Sequence, residues 1–599
     1  MKNNVVSLKR IIKQLSYILT DAQKRAAIVV AIMMIISSGL ELLGVSAIFP
    51  FLQMMTMPTT LKQKWYIAWI YRVIPSITEQ QVLIAIGIVI IALYLLKNGF
   101  VIICGYVQSF YAAKVQREMS TFLLDSYMKR PYQFFLSTNS SEIYRGITGD
   151  VSGVYQILLA FFQMCTELIT IFLLGVFLLM TDFVMAFGAT LLAGLCFCAI
   201  IMGFKGKMKI AGQRNIEAEG LSNKYGYQAI NGIKEITVLG RRENFVKQYN
   251  EAAVLRQSAT AMQNFISMCP DRIIEGICIG GFIGIICIRI GYGADLTKFI
   301  PVLGAFAMAA FKILPSISKV SYRINTIVYY QGNLKNACDN LKESRRYEEE
   351  TRKYNKEYLK DGDGVKSEFR NALEIKNISW KYQNAQKNVL NRVSLKINKG
   401  ESVALIGASG AGKSTLADII MGLFKPQEGT VEMDGVDIFA IPQVWTKIIG
   451  YVPQSVFLID DSIRKNVAFG LDDSEISDEK VWRVLAQAQL KEFIELLPYG
   501  LDTIVGERGI KFSGGQRQRI AIARALYNEP EILILDEATA ALDNETETAV
   551  MESIEFLQGQ VTLIIVAHRL TTIKNCDVIY EIKDGSVVLR DKAAVLGIA

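Results

Sequence analysis

Apolar residues dominate the first 330 positions in runs too long for a soluble core, then give way to short apolar strands in a charged background. The first run begins near Ala26, after a basic stretch holding Lys9, Arg10, Lys13, Lys24 and Arg25. It outlasts the core of a secretory signal and carries no convincing small-residue cleavage site, so it reads as a retained anchor. Further runs near 82–107, 151–180, 183–204, 264–290 and 298–322 each reach the ~20 residues a spanning helix requires. Six spans return the chain to the side on which it started.

That side is set by basic residues. The segments 114–150 and 205–262 carry Lys114, Arg117, Lys129, Arg130, Lys205, Lys207, Lys209, Arg241 and Arg242, which places them in the cytoplasm. The connections after the third and fifth spans are short, around Thr181-Asp182 and Asp295, so little soluble mass is expected outside. Composition agrees: 51% of residues are hydrophobic and the mean hydropathy is +0.27, too apolar for a soluble enzyme. The net charge of +8 follows from the same cytoplasmic loops, and no nucleic-acid partner is expected. Nine cysteines show neither a disulfide framework nor a metal-ligand spacing.

Residues 331–370 have the composition of a linker, with Arg345-Arg346-Tyr347-Glu348-Glu349-Glu350 and Asp361-Gly362-Asp363-Gly364. Residues 371–599 read as a soluble α/β domain. Its run Glu401–Ile406 feeds the loop Gly407-Ala408-Ser409-Gly410-Ala411-Gly412-Lys413-Ser414-Thr415. A strand, a glycine loop and a helix in that order aim unpaired backbone N–H groups and a positive dipole end at phosphates. Lys413 is expected to reach the β and γ phosphates of ATP, and Ser414 to complete the shell of a Mg²⁺ ion.

Downstream, Ile532-Leu533-Ile534-Leu535 has the pattern of a buried parallel strand that delivers Asp536 and Glu537 to the ligand edge of a sheet. Asp536 is the expected metal-side acid and Glu537 the general base for the water that attacks the γ-phosphate. Gln454 and His568 each follow a β-like run. Gln454 is placed to reach metal or water, and His568, the sole histidine, to orient the γ-phosphate. Ser513-Gly514-Gly515-Gln516 opens another helix, whose amino end is a second anion site.

Together these motifs resemble the ATP-binding cassette superfamily, in which the signature segment of one subunit closes over the phosphate loop of the other. The resemblance spans the chain: an all-α six-helix transmembrane domain, 1–330, then an α/β P-loop cassette. This is the form of an exporter half-transporter working as a homodimer. It implies that Tyr382 stacks on adenine and that Asp543 links the two ATP sites. Phe512 stands where the usual signature has leucine, and Ala540 where a serine is common. It further implies short coupling helices at the cytoplasmic turns, for which Pro131–Arg145 and Gly220–Gly232 are the candidates.

Several shorter segments resemble bacterial flippases for lipid-linked oligosaccharides: Leu40-Glu41 with Gly44 and Ile48-Phe49-Pro50-Phe51, Leu96-Lys97-Asn98, Asn139-Ser140-Ser141-Glu142, Gly232-Ile233-Lys234-Glu235 and Leu314-Pro315-Ser316. Such a protein would lie in the bacterial inner membrane among its lipids. Physics leans the same way, since each unpartnered hydroxyl moved into hydrocarbon costs roughly 4–8 kcal/mol and a glycan needs a polar path. Charges in the spans would line it, at about 2.5–3.5 kcal/mol each.

Lys312 is the foremost candidate for contact with an anionic lipid pyrophosphate, with Lys97, Arg272, Arg289 and Arg323 as further partners. The alternative for Lys312 is an internal ion pair, with Glu275 or Glu167 as its partner; a Glu41–Lys97 pair is less favoured, because the two are expected at different depths. Lys62–Ile74, with Trp65 and Trp69 on one face, reads as an interfacial helix. Two alternatives stand beside this reading: a multidrug or other lipid or peptide exporter, and, from another class, an ATP-gated channel or regulator.

Overall fold

The computed structural model describes residues 8–56, 78–181, 183–291, 296–358, 368–382, 385–537, 544–567 and 573–596. The chain forms two compact units, one of Met1–Arg130 with Ser137–Glu349 and one of Pro131–Leu136 with Glu350–Ala599.

The first unit is helical. A short amphipathic helix, α1 (Leu8–Ile18), precedes α2 (Asp21–Ser46), α3 (Ile48–Thr56) and α4 (Glu79–Met128). Beyond the short helices α5 (Tyr132–Ser137) and α6 (Ser140–Arg145) come α7 (Val151–Thr181), α8 (Phe183–Asn231), α9 (Ile233–Val238), α10 (Arg242–Gly291), α11 (Leu296–Tyr329) and α12 (Gln331–Tyr358). Each of the six apolar runs in the sequence lies on its own long helix. Among the described residues, Asp21–Phe51, Glu79–Met128 and Ser140–Thr181 are long and apolar enough to cross a membrane.

The starts of α2 and α4 are fixed by matching capping boxes, Thr20 with Gln23 and Thr78 with Gln81, which satisfy backbone donors that a helix start leaves open. The helices α4 and α10 have 50 residues each and α8 has 49. At 1.5 Å per residue they are about 75 Å long, more than twice the hydrocarbon thickness, so their ends stand in water. Small hydroxyl residues join the spans: Thr170 Oγ1 lies 3.0 Å from Ser38 Oγ, and Gln108 donates to Thr166 Oγ1 at 3.2 Å. Such bonds are favourable where no water competes.

The turns expected on the cytoplasmic side differ in part from expectation. Pro131–Arg145 does break into two short helices, and residues 131–136 pack with the second unit. The segment 220–231 is instead a continuation of α8, which ends at Asn231; the short element of that turn is α9, capped by Gly232. The backbone of 220–231 has no proline or left-handed residue to stop the helix. Between α6 and α7, Gly146–Asp150 forms a π-turn. The expected linker is helical through Tyr358.

The second unit has two sheets. Strands β1 (Ala372–Trp380), β2 (Leu390–Asn398), β4 (Glu428–Met433) and β5 (Val436–Asp437) form an antiparallel sheet in the order β2-β1-β4-β5. The second sheet runs β10 (Ser586–Arg590), β9 (Val578–Lys583), β3 (Ser402–Ile406), β8 (Thr562–Val566), β7 (Ile532–Asp536), β6 (Ile449–Val452). It is parallel from β9 to β6. Every residue of β8 and the first four of β3 and of β7 are buried, as expected of parallel strands covered on both faces. Helices α13 (Lys413–Ile420), α14 (Pro442–Ile448), α15 (Ile463–Val467), α16 (Asp478–Gln487), α17 (Lys491–Glu495), α18 (Gly514–Leu526), α19 (Asn544–Leu557) and α20 (Lys592–Leu596) complete the unit. The carboxyl ends of β3, β6, β7 and β8 therefore share one edge.

Candidate functional site

At that edge β3 turns into the glycine loop. Gly407 has φ +144° and a Cβ there would sit 2.3 Å from the Ile582 carbonyl oxygen, while Gly412 caps α13 at φ +106°. Only glycine meets both demands, the close approach and the left-handed backbone. Lys413, 4% exposed, folds back so that its ammonium donates to Gly407 O at 2.9 Å and Ala408 O at 3.1 Å. Burial lowers its pKa from the usual lysine value, against the pull of Glu537 and Asp536. A cation held at the loop mouth by neutral carbonyls can exchange them for phosphate oxygens at little reorganisation cost.

Ser414 Oγ faces Asp536 Oδ1 at 3.5 Å, so the end of β7 and the start of α13 bring together one hydroxyl and one carboxylate. Among the described residues no cluster of three or more His, Cys, Asp or Glu exists that could hold a metal by itself. A hydroxyl and a carboxylate beside a phosphate loop fit Mg²⁺, which keeps most of its waters and takes further ligands from substrate phosphates.

Gln454, two residues past β6, donates to Glu537 Oε2 at 2.5 Å. Glu537 has φ +47° and its N–H is bonded to Val566 O at 3.1 Å. A glutamate in the left-handed region is strained, and such residues gather at active sites; here the twist turns the side chain away from the line of β7 and toward Gln454. Gln518 of α18 reaches the same loop, donating to Pro453 O at 3.2 Å.

Ser513 caps α18 reciprocally with Gln516: Gln516 N donates to Ser513 Oγ at 3.3 Å and Ser513 N to Gln516 Oε1 at 2.9 Å. The box fixes the helix tip carrying Gly514 and Gly515. Arg524, near the other end, is committed internally, donating to the backbone oxygens of Asn466 and Phe457 at 2.8 Å each. Burial lowers its pKa to about 10. Phe512, at the position of the expected leucine, is 7% exposed and packs into the core of the unit.

Tyr382 is 38% exposed, with its hydroxyl 3.3 Å from Thr415 Oγ1 and its ring edge-on to Trp380 at 4.3 Å. Trp380 stacks on Phe424 at 4.8 Å, and Phe424 lies 6.0 Å from Tyr132 of α5. Sequence reasoning missed this aromatic chain, although the alternation Trp380-Lys381-Tyr382 next to a strand was available as a signal. Asp543 and His568 lie outside the described residues, as does the segment Lys62–Ile74; the side chain of Arg289 is likewise not described.

In the spans, the ion pairs depart from expectation. Glu41 Oε1 accepts from Lys312 Nζ at 3.0 Å, and Glu41 Oε2 from Lys97 Nζ at 2.8 Å. Glu167 pairs instead with Lys319 at 2.9 Å, and Glu275 with Arg272 at 3.2 Å. Lys319 carried no sequence expectation; it sits seven residues from Lys312, on the same face of α11.

A membrane-embedded helical unit joined to a parallel-sheet domain with a phosphate loop defines an ATP-driven membrane transporter. The matches to known proteins are specific. Residues 26–288 fit the family model described as ABC transporter transmembrane region, and residues 390–540 the one described as ABC transporter. The heterocyst differentiation ATP-binding protein HepA of Nostoc sp. is 32% identical over 76% of this chain and 72% of its own length. The ATP-dependent lipid A-core flippase of Albidiferax ferrireducens is 29% identical over 84% of this chain and 85% of its own. A bacterial Atm1-family ABC exporter solved with ATP bound superposes with a TM-score of 0.73 at 21% identity, over 96% of this chain and 97% of that one. The chain belongs to the ABC transporter family: it binds ATP and couples its hydrolysis to export across a membrane.

Proposed function

We propose that the protein is a homodimeric flippase of the bacterial inner membrane that moves a lipid-linked oligosaccharide to the outer leaflet. Two ATP molecules are held between the cassettes. In each site the loop Gly407–Thr415 wraps the phosphates through its backbone, with Ser409, Gly410 and Ala411 at the tip, and Lys413 neutralises the β and γ phosphates. Ser414, Asp536 and Gln454 would hold Mg²⁺, which would supply neutralisation of phosphate charge. Glu537 accepts a proton from the attacking water and His568 orients the γ-phosphate. Tyr382 packs on adenine, the Ser513–Gln516 tip is lent to the partner's triphosphate, and Asp543 joins the two sites.

The observation that carries the substrate reading is the band of charged side chains inside the spans. Lys97, Glu41, Lys312, Glu167 and Lys319 would be an unexplained cost of several kcal/mol in a carrier of purely apolar compounds. The likeness to the lipid A-core flippase, whose name states lipid A-core as what it flips, supports it. The aromatic chain from Tyr382 to Tyr132 supports a coupling role for α5.

The test is ATP-dependent translocation of a fluorescent lipid-linked oligosaccharide in proteoliposomes, beside the ATPase response to the same lipid and to hydrophobic drugs. Translocation and stimulation by the glycolipid are expected. A response confined to drugs would refute the glycan assignment, and ion conduction with ATP bound would favour the channel.

A further inference from the structure

Three helices meet at one carboxylate. Glu41 of α2 has its side chain 13% exposed and gives one oxygen to Lys97 of α4 and the other to Lys312 of α11. Lys97 is sealed in: its side chain is 1% exposed and its ammonium lies 4.2 Å above the Tyr94 ring. A Cβ on Gly44 would come within 2.9 Å of Lys97 Cδ, so glycine makes the space through which Lys97 reaches Glu41. Lys312 is the open member, 38% exposed.

Among the described residues the charges in this cluster do not balance. Two ammonium groups bond one carboxylate here, whereas Glu167 bonds a single ammonium, that of Lys319, and Glu275 a single guanidinium, that of Arg272. Both Glu41 oxygens are occupied, so one positive charge is left over in a low-dielectric setting, where uncompensated charge is costly. That charge falls on the member solvent can reach. We propose that Glu41 is a resident counter-ion, anchored by Lys97 and exchanged at Lys312 for a phosphate of the anionic lipid cargo. The proposal rests on the lipid-flippase reading and adds the device that sets its affinity.

Exchange follows from the difference between the two bonds. Lys97 cannot leave Glu41 without becoming a buried unpaired cation, so the carboxylate stays with α4. Lys312 can swing toward an incoming phosphate, which offers it more acceptor oxygens than the single one Glu41 presents. Glu41 gives Lys312 a partner between turnovers without cancelling the surplus charge, and it competes with the cargo.

The experiment uses the full chain in nanodiscs with a polyprenyl pyrophosphate as probe. Glu41→Gln alone would strand Lys97, so the variant is Glu41→Gln with Lys97→Met, which removes the buried pair together. The half-stimulating concentration of the probe should fall about fivefold, the equivalent of losing one partly exposed ion pair, and Lys312→Met should abolish stimulation. In parallel, labelling of Lys312 by an amine-reactive reagent, read by mass spectrometry, should be faster in the double variant and slowed again by the probe. Unchanged half-stimulation in the double variant, with the wild type still stimulated, overturns the counter-ion role and leaves the lipid reading intact. Faster labelling with no stimulation of any protein by the probe upholds the exchangeable pair and overturns the lipid cargo. If the double variant fails to fold, the wild type decides: a probe that stimulates ATPase without altering Lys312 labelling overturns the proposal.

Discussion

Asp150 closes the π-turn before α7 and is fully buried. Asn333 and Asn336 of α12 donate to its Oδ1 at 3.2 and 3.4 Å, and Arg145 Nε stands 3.7 Å from Oδ2. Burial pushes its pKa from 3.8 up to about 6, against the attraction of Arg145 and the two amide donors. The folded state therefore holds the proton more tightly than the unfolded state. The contribution of this carboxyl to stability is most favourable below about pH 4, is lost as pH rises from about 4 to 6, and its cost is complete above that window.

A difference of about 2 units at about 1.4 kcal/mol each makes the ionised carboxylate cost on the order of 3 kcal/mol at neutral pH. Asp150→Asn keeps the shape and an oxygen for Asn333 and Asn336 while removing the charge. It should raise the apparent melting temperature of the detergent-solubilised protein at pH 7.5 by several degrees. It should also flatten the fall in stability between pH 4.5 and 6.5, read by intrinsic fluorescence. A variant whose melting temperature follows the wild-type pH curve would refute the reasoning, because the proton would then not be held at this carboxylate.

Three further outcomes are expected. Glu537→Gln should lower ATP turnover about 10²–10⁴-fold with nucleotide binding retained, measured by phosphate release beside equilibrium binding; undiminished turnover would remove Glu537 as the base. Gly44→Ala should cost about 1–3 kcal/mol by overpacking against Lys97, and adding Lys97→Ala should recover part of the loss in thermal unfolding; equal loss in both backgrounds would show that the space is not made for Lys97. Tyr132→Ala, which removes an exposed ring from Phe424, should leave basal ATPase near wild type and bring the ratio of substrate-stimulated to basal rate toward one. A preserved ratio would end the coupling role of this contact.

The nucleotide site was legible because its chemistry is written locally. The loop Gly407–Thr415 lies on consecutive residues, and the strand Ile532–Leu535 announces by its apolar run that it is central and ends at the ligand edge. The meeting of Ser414 with Asp536, and of Gln454 with Glu537, follows from the order β3-β8-β7-β6, which places the ends of distant strands side by side. What could not be read is backbone detail. Nothing in the sequence Leu535-Asp536-Glu537 tells that Glu537, one residue past β7 and with its N–H still bonded to Val566 O of β8, takes a positive φ.

The ion cluster was misread for a reason that the helix lengths make plain. A span of about 20 residues counted from Ala26 ends near Ser46, which would leave Glu41 only a turn or so from the membrane surface. The helix does not end there: Ala47 keeps right-handed helical angles and α3 carries the turn on to Thr56. Glu41 then lies about 22 Å from the far end of that helix, while Lys97, measured from Glu79 at the start of α4, lies about 27 Å in. The two depths differ by roughly one helical turn, within the reach of a lysine side chain. With Gly44 one turn beyond Glu41 on the same face, the space between α2 and α4 opens where the ammonium must pass. The signal was present in the spacing of Glu41 and Gly44, but it acquires meaning only once the two helices are known to run side by side past Ser46.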